Sequence, residues 1–121
     1  MSELSILSID QLVDQFRAYA LEQEIALLDS DTDEYNRLYD KMGAIDSELR
    51  VRGMEARTAL LRLLDDENFR VRYEAAVRST AIAPERALAT LKEIAASHKM
   101  PEAGDAGMAL YHHEQGISKP T

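Results

Sequence analysis

Leu60-Leu61-Arg62-Leu63-Leu64-Asp65-Asp66-Glu67-Asn68-Phe69-Arg70-Val71-Arg72-Tyr73-Glu74-Ala75-Ala76 is the stretch that decides the fold of this chain. Its leucines recur at the three- and four-residue steps of a helical face, and Val71 and Ala75 resume that spacing after an acidic break. Asn68 is a residue type that caps a helix start, since its side-chain oxygen can accept from a free backbone N–H of the first turn. The stretch therefore reads as a helix, a tight acidic turn and a second helix. That is an architectural unit, not an active site.

Working outward, six helical segments can be drawn. The first begins at Ser8, where Ser8-Ile9-Asp10-Gln11 has the form of a capping box, and its stripe Ile9, Leu12, Val13, Phe16, Tyr19, Ala20, Gln23, Leu27 is broken only by Gln23. It should run to about Leu28. Asp31 or Thr32 caps a second helix, whose stripe is Tyr35, Leu38, Tyr39, Met42, Ile45 and Leu49 and which ends before Gly53. The third helix, about Met54 to Leu64, buries Ala56, Ala59, Leu60, Leu63 and Leu64; the fourth starts at Asn68 and buries Val71, Ala75 and Ile82. Pro84 and Pro101 open the fifth and sixth, at the position where a missing N–H costs nothing, and Leu88, Leu91, Ile94 and Ala95 point inward from the fifth. Residues 116–121 read as a short frayed tail and residues 1–115 as a single domain.

The chain has 121 residues and a formal charge of −8, unevenly spread. Residues 1–49 carry 12 acidic and 3 basic side chains, residues 50–86 carry 6 and 8, and residues 87–121 carry 4 and 3. An acidic front and an arginine-rich middle either pair within the fold or present faces of opposite sign to partners. The acidic total disfavours non-specific nucleic-acid binding, which depends on Lys and Arg neutralising phosphates. There is no Cys, which excludes disulfides, thiolate nucleophiles and Cys-ligated zinc and fits a reducing compartment. No stretch has the form of a signal peptide or a membrane span, so the expected location is cytoplasmic, with no membrane partner.

Three constellations invite a chemical reading. Asp29-x-Asp31-x-Asp33 has the odd-numbered acids of a calcium loop, but the sixth position is Glu34 where Gly is needed and the twelfth is Asp40 where a bidentate Glu is needed. His112 and His113, with Glu102, Asp105 and His98 near in sequence, suggest a metal site; adjacent helical residues point about 100° apart, so the pair cannot chelate as an i, i+4 pair would. The arginines Arg50, Arg52, Arg57, Arg62, Arg70, Arg72 and Arg78 are of the type that recognises carboxylates and phosphates. Tyr73 and Tyr111 lie off the main stripes of their helices and are candidates for contact with a partner. No residues are assigned catalytic, cofactor-binding or metal-binding roles.

The central stretch resembles a HEAT-like repeat, with its leucine-rich first helix, Asp at the turn, then Val-Arg and paired alanines. A self-match at an offset of about 31 residues pairs Ala56 with Ala87, Leu60 with Leu91, Leu63 with Ile94 and Ala75 with Ala106, a shorter period than the roughly 40 to 47 residues of HEAT and armadillo units. From Leu12 to Tyr111 the chain is similar to a small bacterial family of HEAT-like domains of uncharacterised function. Tyr35 to Asp40, Leu60 to Ala76, Ala83-Pro84, Glu93 to Ser97 and Asp105 to Met108 carry that similarity. The resemblance implies an all-α fold, a short right-handed α-α superhelix of HEAT-like or armadillo-like type with about six helices in three antiparallel pairs. A generic helical bundle is the alternative. It also implies that Arg72 pairs with Asp65 or Asp66 at the turn.

The leading functional expectation is a non-catalytic protein-interaction module, a regulator or immunity-type protein that binds a basic partner through Arg37, Arg70, Tyr73, Arg78 and Tyr111. The alternatives are a nucleic-acid-binding HEAT-like domain and, more remotely, a metal-dependent enzyme built on His112, His113 and Glu102. No cofactor is expected, and the sequence leaves the oligomeric state open.

Overall fold

Ser8 starts α1 (Ile9–Leu28): its hydroxyl accepts from the Gln11 N–H at 3.0 Å, and the Gln11 side chain accepts from the Ser8 N–H at 2.8 Å. Two donors left free by the first turn are thereby satisfied, as the capping-box pattern implies. Asp31 caps α2 (Thr32–Val51) by accepting from the Glu34 N–H at 3.1 Å, with Asp33 and Glu34 at the positive end of the helix dipole. The computed structural model describes residues 3–117 and 119–121; Met1 and Ser2, and Ser118 of the expected tail, lie outside the described residues. Among the described residues all regular structure is helical. The chain divides into two units, Met1–Leu60 and Leu61–Thr121.

In the first unit α1 packs along α2 as a hairpin. Leu12, Phe16 and Ala20 from α1 and Leu38, Met42, Ile45 and Leu49 from α2 are removed from solvent, which is the apolar burial that holds two helices of this length together. Gln23 joins them: it is fully buried, and neither its amide oxygen nor its amide nitrogen has a hydrogen-bond partner among the described residues. Tyr39, expected on the core stripe, is instead 53% exposed, because the hairpin buries a narrower strip of α2 than the stripe spans. A 3-10 helix, Glu3–Ile6, precedes α1, and the Arg52 guanidinium donates to the Leu4 carbonyl at 2.8 Å, tying it to the end of α2. Gly53 follows at φ 106°, a conformation that strains residues with a Cβ.

The expected third helix is only partly α-helical. One α-turn, α3 (Met54–Arg57), passes into a 3-10 helix over Thr58–Asp65. Arg57, Leu60 and Leu63 are buried at three-residue steps, and the tighter 3-10 winding aligns such a row along one line. The Thr58 hydroxyl also donates to the Glu55 carbonyl at 2.8 Å, occupying an acceptor of the preceding turn.

In the second unit Asn68 caps α4 (Phe69–Val77), accepting from the Val71 N–H at 3.0 Å, and Asp66 in turn accepts from the Asn68 N–H at 2.9 Å. α4 ends before Ile82, which lies half-buried in the connecting turn. Its last carbonyls are taken by side chains: Arg78 donates to the Glu74 carbonyl at 3.0 Å and the Ser79 hydroxyl to that of Ala75 at 2.8 Å. Pro84 is the first residue of α5 (Pro84–Ala96), whereas Pro101 sits at the cap of α6 (Glu102–Glu114). α5 packs on both α4 and α6, and α4 also meets α6. Val71, Ala75, Ala76, Ala87, Leu91, Ile94 and Ala106 form the apolar core, the alanines permitting close approach.

An ion network joins α4 to α6. Arg70, 1% exposed, donates to Glu74 at 2.8 Å, to Glu102 at 3.2 Å and to Asp105 at 3.3 Å, while Arg78 donates to the second oxygen of Glu74 at 2.7 Å. This corrects the expectation that Arg70 and Arg78 stand free for a partner. Two carboxylates more than thirty residues away come back onto Arg70 through the packing of α6, and no local pattern announces them. Arg72 also departs from expectation: it reaches Glu93 of α5 at 3.5 Å and lies over the Phe69 ring at 4.4 Å, while Asp65 pairs with Arg86 at 3.6 Å.

Two stability measurements check this account. Replacing Arg70 by Met strands Glu102 in the interior and leaves Glu74 with Arg78 alone, and the expected loss is about 3–5 kcal/mol in urea unfolding; a loss below about 1 kcal/mol would show that the network contributes little. Gln23→Leu removes an unpaired buried amide at nearly constant volume and should stabilise the protein by about 1–2 kcal/mol. A destabilised Leu variant would mean that the amide is hydrogen-bonded in solution.

Candidate functional site

The ion network delivers one carboxylate to an open cleft. Asp105 has its side chain 44% exposed, against 2–3% for Glu102 and Glu74. One of its oxygens, Oδ2, accepts from Arg70; Oδ1 has no partner among the described residues. The cleft onto which it opens has a volume of about 300 Å³ and lies between the three helices of the second unit. α4 supplies Tyr73 and Val77, α5 supplies Leu88 and Leu91, and Thr80 lines it from the turn. α6 contributes Asp105, Met108, Ala109 and His112, which recur at the steps of one helical face, together with His113. A larger hollow of about 540 Å³ in the first unit, beneath the 3-10 helix Glu3–Ile6, has Leu4, Leu7, Tyr19 and Ile45 in its wall and gathers fewer ionisable groups.

The arrangement has a distinct electrostatic character. Glu74, Glu102 and Asp105 make ion pairs with two guanidinium groups, those of Arg70 and Arg78, which leaves one negative charge over at the exposed member. The walls are aliphatic and aromatic, and the Arg70 guanidinium lies 4.8 Å from the centroid of the Tyr73 ring, holding that ring at the edge of the network. Chemically, such a cleft accommodates an apolar stem with a cationic end. Among the described residues, no three His, Asp or Glu side chains come together so that they could hold a metal ion.

Of the five residues read from the sequence as partner-binding, Tyr73 lines the cleft. Arg70 is buried behind it, and the Arg78 side chain is 10% exposed and committed to Glu74. Tyr111 is 53% exposed, outside the cleft lining but with its ring 6.0 Å from that of His112. Arg37 is on α2 of the first unit, donating to both oxygens of Glu34 at 2.6 and 3.0 Å. That hydrogen bonding holds the Glu34 carboxyl below its ordinary value and raises the Arg37 guanidinium. The cleft lining also takes in Asp105, Met108, His112 and His113, which the sequence reading does not count among its partner-binding residues. Asp105, His112 and His113 enter the sequence reading as a candidate metal site and Met108 only through the family resemblance, although they form a mixed polar and apolar face of α6.

No curated protein matches the sequence. The chain is similar over its whole length to the protein RPA1889 from Rhodopseudomonas palustris CGA009, known from a crystal structure: 38% identity, a TM-score of 0.94, and 100% of each chain covered. Residues 10–113 match the model of a domain of unknown function, DUF2019. With nearly all of its helical sequence inside that model and an identical extent to a crystallised relative, the chain belongs to the DUF2019 family.

Proposed function

We propose that this chain is a non-catalytic protein-interaction module of HEAT-like type that binds a basic protein partner, in the manner of a regulator or an immunity-type protein. The observation that carries this reading is the α4–α5–α6 cleft, which sets one partly exposed carboxylate, with one oxygen on Arg70 and the other open, among apolar and aromatic side chains. Such a composition suits an anchoring side chain of a partner more than it suits bond-making chemistry. The net charge of −8 favours encounter with a basic surface, since complementary charge raises association rates and disfavours acidic competitors.

The nucleic-acid alternative draws on the arginines of residues 50–86. Arg70, Arg72 and Arg78 are engaged by carboxylates of their own unit, which leaves that alternative with less to stand on. Among the described residues no helix is long and apolar enough to cross a membrane.

The test is comparative capture from the native lysate, with the wild-type chain and an Asp105→Lys variant used as baits at low and at high salt. A protein retained by the wild type at low salt, with a basic isoelectric point, and lost at high salt supports the reading. Recovery of no specific protein in repeated captures, or only of acidic proteins insensitive to salt, overturns it. Asp105→Lys should reduce recovery about tenfold or more if the cleft is the contact, because it reverses the charge there.

A further inference from the structure

We propose that the α4–α5–α6 cleft is a receptor for one arginine side chain of the partner, with its guanidinium on Asp105 and its aliphatic stem along the cleft wall. The inference rests on the interaction-module reading above and names what the site takes.

Charge argues for a cation. The three carboxylates of the network are matched by two guanidinium groups, and the surplus falls on Asp105, the only one of the three that solvent reaches appreciably. Because Oδ2 is committed to Arg70, the vacant acceptor Oδ1 is the atom that an incoming donor meets. The Arg70 guanidinium also fixes the carboxylate in place, so little is lost in ordering it when a ligand arrives.

Size and wall chemistry narrow the cation further. A volume of about 300 Å³ lies at the bottom of the range for small-molecule sites and suits a single long side chain better than a folded segment. Val77, Leu88 and Met108 offer surface to a methylene stem, as amphipathic cationic side chains require. Tyr73 and His112 offer rings beside the acid. A planar, weakly hydrated guanidinium exploits rings and a carboxylate together, whereas the ammonium of lysine is a compact and strongly hydrated point charge. Arginine is therefore the better fit.

The test uses the full chain and blocked single amino acids as probes. N-acetyl-arginine methylamide, titrated by NMR at low ionic strength, should give saturable shifts of the Tyr73, Met108 and His112 signals, with a Kd on the order of 1–10 mM. Blocked lysine should bind at least about threefold more weakly, and blocked leucine should cause no saturable shift at these residues. Asp105→Asn should weaken arginine binding about tenfold. Since Asp105 also touches Arg70, a second variant, Thr80→Trp, fills the cleft from a lining position outside the ion network and should abolish the shifts while thermal unfolding stays near that of the wild type. Absence of saturable shifts with arginine in the wild type, equal binding of lysine or leucine, or unchanged binding in Thr80→Trp overturns the proposal. Capture experiments separate this from the broader reading: a basic partner still recovered with Thr80→Trp would mean that an interaction module exists but uses another surface.

Discussion

Burial of Arg70 among Glu74, Glu102 and Asp105 is the constraint on which the second unit depends. An arginine at 1% exposure is tolerable only because acceptors meet it from two helices, and the enclosed Glu102 is in turn tolerable because the arginine is there. Such a network is a weak source of net stability, since desolvation offsets much of the attraction. Its effect is on arrangement. α6 must present both Glu102 and Asp105 to α4, which places the face carrying Met108, Ala109 and His112 opposite Tyr73 and Val77.

The same network explains why a cleft at this position carries charge. Two of its carboxylates are enclosed and satisfied, and the third is left partly in solvent with one oxygen uncommitted. The buried guanidinium thus serves the surface indirectly, by orienting an acid that an outside cation can reach. In the first unit the hairpin of α1 and α2 is held mainly by apolar burial; of its two buried polar side chains, Asp46 pairs with Arg50 at 3.1 Å and Gln23 has no hydrogen-bond partner among the described residues.

Much of the fold was legible because it is written in local chemistry. Ser8, Asp31 and Asn68 announced their helices, Pro84 occupied the first turn where it belongs, and Gly53 marked the end of α2. The buried leucines and alanines fell where helical spacing placed them. The third helix was legible only as a helix: whether Thr58–Asp65 winds as α or 3-10 depends on which neighbours its buried row must face, and three-residue and four-residue steps coexist in it. Tyr39 and Ile82 were misplaced for related reasons, since a stripe on paper is wider than the strip a neighbour covers, and an apolar residue past the true helix end still continues the pattern.

The sequence alone determined that this chain is all-helical, where most of its helices begin, and which small and branched residues fill its interior, because those outcomes follow from capping and spacing within a few residues. Tertiary structure decided which charged groups are consumed inside and which remain outside. Arg70 looked like a surface cation because two of its partners lie 32 and 35 residues away and cannot be seen from α4, whereas Glu74, which Arg70 and Arg78 share, is only four residues from each. Asp105 drew notice only as an acid near His112 and His113 in sequence, for the converse reason. A charged side chain is stabilised by what surrounds it in space, and at this site that is set by how α4, α5 and α6 pack.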